Sequence, residues 1–223
     1  MKAAERLAAL ERARLYFVCD GRPDGGDPTP VLRAAMRGGA DIIQLREKAP
    51  RCAEELISLA EPFRRVASEY GGLFILNDRP DLVSACGADG AHVGQDDMPV
   101  AEARAAAGAD VLIGLSTHSA AEVEAACSAA GADRPDQISV GPVWETPTKE
   151  GRPATGLELI EHAARVATLP WFAIGGIDAG NVAEVTAAGA ARVVVVRAIR
   201  DAADPEAAAA ALRAALPAEA GVR

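Results

Sequence analysis

The sequence predicts an α/β fold, a (β/α)8 barrel of the TIM type, and three observations carry that expectation. Short apolar or β-branched runs alternate with alanine-rich helical stretches along nearly the whole chain. The apolar runs are continuous, as in strands covered on both faces. Eight such strand–helix units in succession suit a closed parallel barrel. The rival, a doubly wound open sheet, calls for a glycine-rich dinucleotide turn after the first strand. CDGRPDGGDP (19–28) lacks the G-x-G-x-x-G spacing.

In chain order the expected strands are LYFVC (15–19), DIIQLR (41–46), GLFILN (72–77), GAHVG (90–94), VLIGLS (111–116), QISVGPV (137–143), WFAIGG (171–176) and RVVVVRA (192–198). Helices are expected near 29–38, 53–70, 80–87, 99–107, 119–130, 157–167, 179–188 and 204–215. Most of them end in glycine just before the next strand, where glycine supplies a left-handed cap; the repeated Gly-Ala-Asp is explained by that capping alone. No linker or shift in composition divides residues 1–223, so one domain is expected. The Gly- and Pro-rich segments 21–30 and 148–156 follow strands one and six, at the mouth where such barrels keep their active sites.

Bulk composition narrows the function. The net charge of −9 makes nucleic acid and anionic membranes poor partners, so an anionic substrate requires positive charge gathered locally. The four cysteines form no CxxC pair and read as reduced thiols. The N-terminus is amphipathic and charged without the apolar core of a signal peptide, and no run approaches the roughly 18 apolar residues of a membrane span. A cytoplasmic protein is expected. A homo-oligomer is compatible with the sequence, which does not set the assembly state.

The strand ends carry the chemistry. In IIQLREK (42–48), side-chain alternation puts Gln44, Arg46 and Lys48 on one side and Leu45 and Glu47 on the other. If the first side is the barrel interior, an amide and two cations are aimed into it. Strand three ends in Asn77-Asp78 and strand four in GQDD (94–97); each reads as a helix cap, or the two strand ends together as the source of two carboxylates that hold a metal. Strand five ends in Ser116-Thr117-His118, with His118 a general base or a cap. His92 and His162 read as structural. IGGI (174–177), opening a helix near 179, suits backbone N–H contacts to a phosphate, and Arg197 adds a cation to that corner. Thr146, Thr148 and Lys149 form a hydroxyl-rich loop ending in a cation: a second phosphate grip, or a surface loop. Together these groups fit one Mg2+, a diphosphate and a separate monophosphate in a single mouth.

QLREK (44–48), LFILND (73–78), GADGAHVGQDD (87–97), GLSTHS (114–119), GPVWETPTKEG (141–151), IGGI (174–177) and VVRAI (195–199) resemble the thiamine phosphate synthase family from about Leu15 to Leu212. The resemblance implies a transferase that joins 4-amino-2-methyl-5-hydroxymethylpyrimidine diphosphate to 4-methyl-5-(2-phosphoethyl)thiazole, releasing thiamine phosphate and diphosphate. It implies that Gln44, Leu45, Arg46, Glu47, Lys48, Asn77, Ser116 and Lys149 contact the pyrimidine diphosphate. Of these, Arg46, Lys48, Ser116 and Lys149 are the catalytic set. Asp78 and Asp97 are implied as Mg2+ ligands, and Thr146, Pro147, Thr148, Gly176, Val196 and Arg197 as the thiazole phosphate site. Trp144 stands where the family more often has Phe or Tyr, and Arg197 where some members carry Ser. The competing readings are a thiazole tautomerase with His118 as base, a non-catalytic binding protein that keeps the phosphate contacts, and a sugar-phosphate isomerase. The tautomerase has no use for Arg46, Lys48, Asp78 and Asp97 as a set, and the isomerase leaves GQDD and TPTK unexplained.

Overall fold

A computed structural model describes residues 1–47, 49–146 and 153–218. Eight parallel strands close in sequence order into a barrel. They are β1 (Leu15–Cys19), β2 (Ile42–Leu45), β3 (Leu73–Asn77), β4 (Gly90–Val93), β5 (Leu112–Thr117), β6 (Gln137–Val140), β7 (Trp171–Ile174) and β8 (Val193–Val195). Closure is made by β8 against β1, with Tyr16 opposite Val194. The open-sheet alternative is thereby excluded.

Around the strands lie α1 (Ala3–Arg12), α2 (Thr29–Arg37), α3 (Ala53–Tyr70), α4 (Val83–Cys86), α5 (Val100–Ala107), α6 (Ala120–Ser128), α7 (Gly156–Val166), α8 (Val182–Ala187), α9 (Arg197–Arg200) and α10 (Pro205–Ala215). Two expectations need correction, and one element is added. The N-terminal segment forms a helix, α1, that closes the lower end of the barrel. Leu10 joins the interior apolar cluster, and Arg6 pairs with Asp89 at 2.9 Å. Strand eight ends at Val195, and Arg197 opens the four-residue α9. The helix after IGGI begins at Val182, because the side chains of Asp178 and Asn181 bond the intervening backbone N–H groups of Gly180 and Asp178.

Strand parity divides the core in two. Phe17, Ile43, Leu45, Phe74, Leu76, Ile113 and Val140 face the helices in a continuous apolar layer. Tyr16, Val18, Ile42, Leu73, Ile75, Leu112, Phe172 and Val194 face inward and fill the lower interior, where Tyr16 and Phe172 meet edge to face at 5.5 Å. Above this plug the inward positions turn polar, and that change of character positions the site.

The lower rim is tied by carboxylates. Asp41, just before β2, accepts from Leu15 N–H at the start of β1. Asp89, before β4, accepts from Phe74 N–H of β3, and Asp136, before β6, from Ile113 N–H of β5. Each also pairs with an arginine: Arg213, Arg6 and Arg104 respectively. Orphan strand N–H groups are thus satisfied without water. Among the described residues no helix is long and apolar enough to cross a membrane.

Candidate active site

A cavity of about 380 Å³ opens at the C-terminal ends of the strands. Gln44 and Arg46 line it, while Leu45, 1% exposed, packs in the helix-facing layer. Glu47 also turns away: its carboxylate accepts from Gly21 N–H at 2.7 Å and pairs with Arg51 at 2.9 Å. The Leu45 and Glu47 side chains therefore do not line this cavity, for the reason of strand parity. Gln44 is held by donating from Nε2 to the Tyr16 hydroxyl at 2.8 Å. Burial pushes the Tyr16 phenol far above its usual range, so it stays neutral beside Gln44.

Asn77, Ser116, Thr146, Gly176, Val196 and Arg197 line the same cavity. Lys48, Pro147, Thr148 and Lys149 lie outside the described residues. Among the described residues, neither Arg46 nor Arg197 forms an ion pair, whereas neighbouring Arg200 is neutralised by Asp20 at 3.0 Å and Asp201 at 2.6 Å. Two guanidinium groups around one cavity of an acidic protein, neither ion-paired among the described residues, are the local gathering of positive charge that an anionic substrate would require.

The far wall is built from backbone. Gly175 and Gly176 have φ of 107° and 69°, a region that side chains rarely enter. A Cβ on Gly176 would come within 2.8 Å of the Trp144 Cβ. The peptide Gly141-Pro142 is cis, and Val143 N–H donates to Ile174 O at 2.9 Å, locking the end of β6 onto that of β7.

The proposed metal ligands, Asp78 and Asp97, are not among the cavity-lining residues. Neither caps a helix. Asp78 has φ of 58°, costly for a side-chain-bearing residue, and its N–H donates to His92 O at 2.9 Å across β3 and β4. Asp97 closes its own loop by accepting from Gly94 N–H at 2.7 Å. Among the described residues there is no group of three or more His, Cys, Asp or Glu placed to hold a metal. Two carboxylates on adjacent strand ends are nonetheless the hard oxygen donors that Mg2+ uses when water and substrate phosphate complete its shell.

His92 was expected to be structural, yet it lines the cavity. So do Tyr16, Val18, Ser139, Asp178 and Asp201. For the strand residues a signal was available: Tyr16, Val18, His92 and Ser139 share the inward parity of Gln44 and Ser116. His118 also lines the cavity, but the capping role falls to Ser119, whose hydroxyl accepts from Glu122 N–H at 3.3 Å. The His118 Nδ1 lies 2.5 Å from Gly141 O. A carbonyl only accepts, so Nδ1 carries the proton. His162 sits on the outer helices, 3.1 Å from Glu124.

Fold and mouth together define a (β/α)8-barrel protein with a cavity at the C-terminal ends of its strands, lined by Arg46 and Arg197. The chain belongs to the thiamine monophosphate synthase family, whose model matches residues 15–199. It is 52% identical over 208 residues to a thiamine-phosphate synthase of Streptomyces avermitilis, covering 93% of this chain and 94% of that one. It is 50% identical over 231 residues to one from Arthrobacter sp. strain FB24, covering 95% and 97%. In structure it is similar to thiamine phosphate pyrophosphorylase from Pyrococcus furiosus, with a TM-score of 0.81, 30% identity and coverage of 92% and 96%. The chain is accordingly a transferase of that family.

Proposed function

We propose that this mouth joins 4-amino-2-methyl-5-hydroxymethylpyrimidine diphosphate to 4-methyl-5-(2-phosphoethyl)thiazole, giving thiamine phosphate and diphosphate. The observation that carries the reading is the meeting of Gln44, Arg46, Asn77, Ser116, Thr146, Gly176, Val196 and Arg197 around one cavity in a member of this family.

Loss of diphosphate leaves a carbon cation that the electron-rich aminopyrimidine delocalises. The thiazole nitrogen then attacks that carbon. Such a path asks the protein to position two substrates and to neutralise a leaving group, with no side-chain nucleophile. Arg46 faces the diphosphate, and Lys48 and Lys149 join it on the strength of their motifs. Gln44, fixed by Tyr16, and Asn77 and Ser116 orient the pyrimidine diphosphate. Gly176, Thr146, Val196 and Arg197 anchor the thiazole phosphate so that its ring nitrogen points at the reacting carbon. Asp78 and Asp97 would hold Mg2+, which would supply further positive charge beside the departing diphosphate.

The test is turnover of both purified substrates with and without Mg2+, on wild type, Asp78→Ala and Asp78→Asn. Asparagine tolerates the left-handed backbone, so the second variant separates the carboxylate from the conformation. A loss of at least about a hundredfold is expected in both, the scale for removing an electrostatic transition-state contact. Near-wild-type activity in Asp78→Asn would remove Asp78 from the metal site. A fluorine on the pyrimidine is expected to slow turnover strongly, and an unchanged rate would exclude the dissociative path.

A further inference from the structure

Behind Ser116 lies a polar row that the reaction above does not use. His92 on β4 and Gln137 on β6 are two strands apart, and both are paired in register with Gly114 of the intervening β5. A Cβ at Gly114 would overlap both the Gln137 amide and the His92 ring, so the missing side chain is what lets them meet. Gln137 Nε2 lies 3.0 Å from His92 Nδ1. On its other side, His92 Nε2 lies 3.0 Å from Ser116 Oγ and 3.4 Å from Ser139 Oγ. All four side chains are buried, and Gln137 is 3% exposed.

The geometry points to Gln137 as a positioning residue that sets the tautomer of His92 and thereby makes Ser116 a hydrogen-bond donor to the pyrimidine diphosphate. This rests on the reading of Ser116 as a contact of that substrate. An amide NH2 only donates, so His92 Nδ1 accepts and the ring proton sits on Nε2. Nε2–H then donates to Ser116 Oγ, so the serine O–H points away from His92 and acts as a donor. The opposite amide orientation would leave the NH2 group, rather than Oε1, without a partner. A buried orphan donor is the rarer and costlier arrangement.

Two measurements test this. Imidazole 15N spectra of the wild-type protein, with His92 assigned by elimination using His118→Asn and His162→Asn, are expected to show Nε2 protonated. A proton on Nδ1 would overturn the proposal whatever the variants do. Gln137→Glu replaces the donor with an acceptor of the same shape, moves the proton to Nδ1 and turns Ser116 toward His92. It is expected to raise the KM for the pyrimidine diphosphate about tenfold, the scale of one hydrogen bond, and to leave the KM for the thiazole phosphate unchanged. In a Ser116→Ala background the same change is expected to add nothing. A further loss there, or an equal effect on both KM values, would show a merely structural role and overturn the proposal. If Ser116→Ala alone leaves the pyrimidine KM unaltered while the Nε2–H tautomer is seen, the reading of Ser116 fails, and with it the link from His92 to substrate.

Discussion

The two halves of the mouth are built on different plans. From β2 round to β6 the wall is side chains: Gln44, Arg46, Asn77, His92, Ser116 and Ser139. From β7 through β8 to β1 it is mainly aliphatic groups and bare backbone, Ile174, Gly175, Gly176, Val194, Val196 and Val18, with Tyr16, Asp178, Arg197 and Asp201 as its polar side chains. The first half suits a substrate whose charge changes during reaction, because donors held in a hydrogen-bonded array need no reorganisation. The second suits a flat ring and a phosphate that are only held still. On the proposed function, charge chemistry falls mainly to the first half and anchoring to the second.

Breaking the first half is expected to cost most. Arg46→Ala removes a cavity cation that makes no ion pair among the described residues. Steady-state assays are expected to show a fall of about 10²- to 10³-fold in kcat/KM, and a fall of less than about threefold would place the diphosphate elsewhere. Disturbing the second half is expected to affect binding and spare the chemical step. Arg197→Ser is expected to raise the KM for the thiazole phosphate about tenfold with kcat near wild type, on the scale of one charge-assisted hydrogen bond. Gly176→Ala forces a side chain into a positive φ against Trp144. It is expected to lower thermal stability by about 1–2 kcal/mol and to weaken the thiazole phosphate alone.

Farther from the mouth, Asp89→Ala is expected to cost about 1–3 kcal/mol of stability by orphaning the Phe74 N–H, with kcat unchanged. The smallest effect concerns the thiols. Burial holds Cys19 up at about 12 and Cys86 at about 11. Both stay protonated at neutral pH and become reactive only as pH rises toward those values. Mass spectrometry after alkylation at pH 8 is expected to find the exposed Cys52 labelled and Cys19 and Cys86 unmodified.

Much of this was legible in the order of residues. Continuous apolar runs fixed the barrel, since both strand faces are covered, and the parity of IIQLREK put Gln44 and Arg46 on the interior. What the sequence did not show has several physical causes. His92 reads as structural because it sits mid-strand, and the sequence does not show that it also borders the cavity, since in a barrel the upper strand interior is itself the cavity wall. Residues 192–198 read as one strand because a run of four valines favours extended backbone, but the chain turns at Val196 and Arg197 starts a helix. The role of α1 depends on Leu10 meeting the barrel floor, a contact between segments remote in sequence that periodicity cannot reveal. The meeting of Gln137 with His92 depends on what Gly114 lacks, and an omission of that kind carries no local signal.

Strand parity has an engineering consequence. Along each strand two messages are interleaved residue by residue: one face is addressed to the helical jacket, the other to the ligand chamber. Libraries confined to the inward positions above the Tyr16–Phe172 floor would therefore search new substrates while leaving the jacket contacts untouched. Stabilising changes could be drawn from the outward positions and combined with them afterwards.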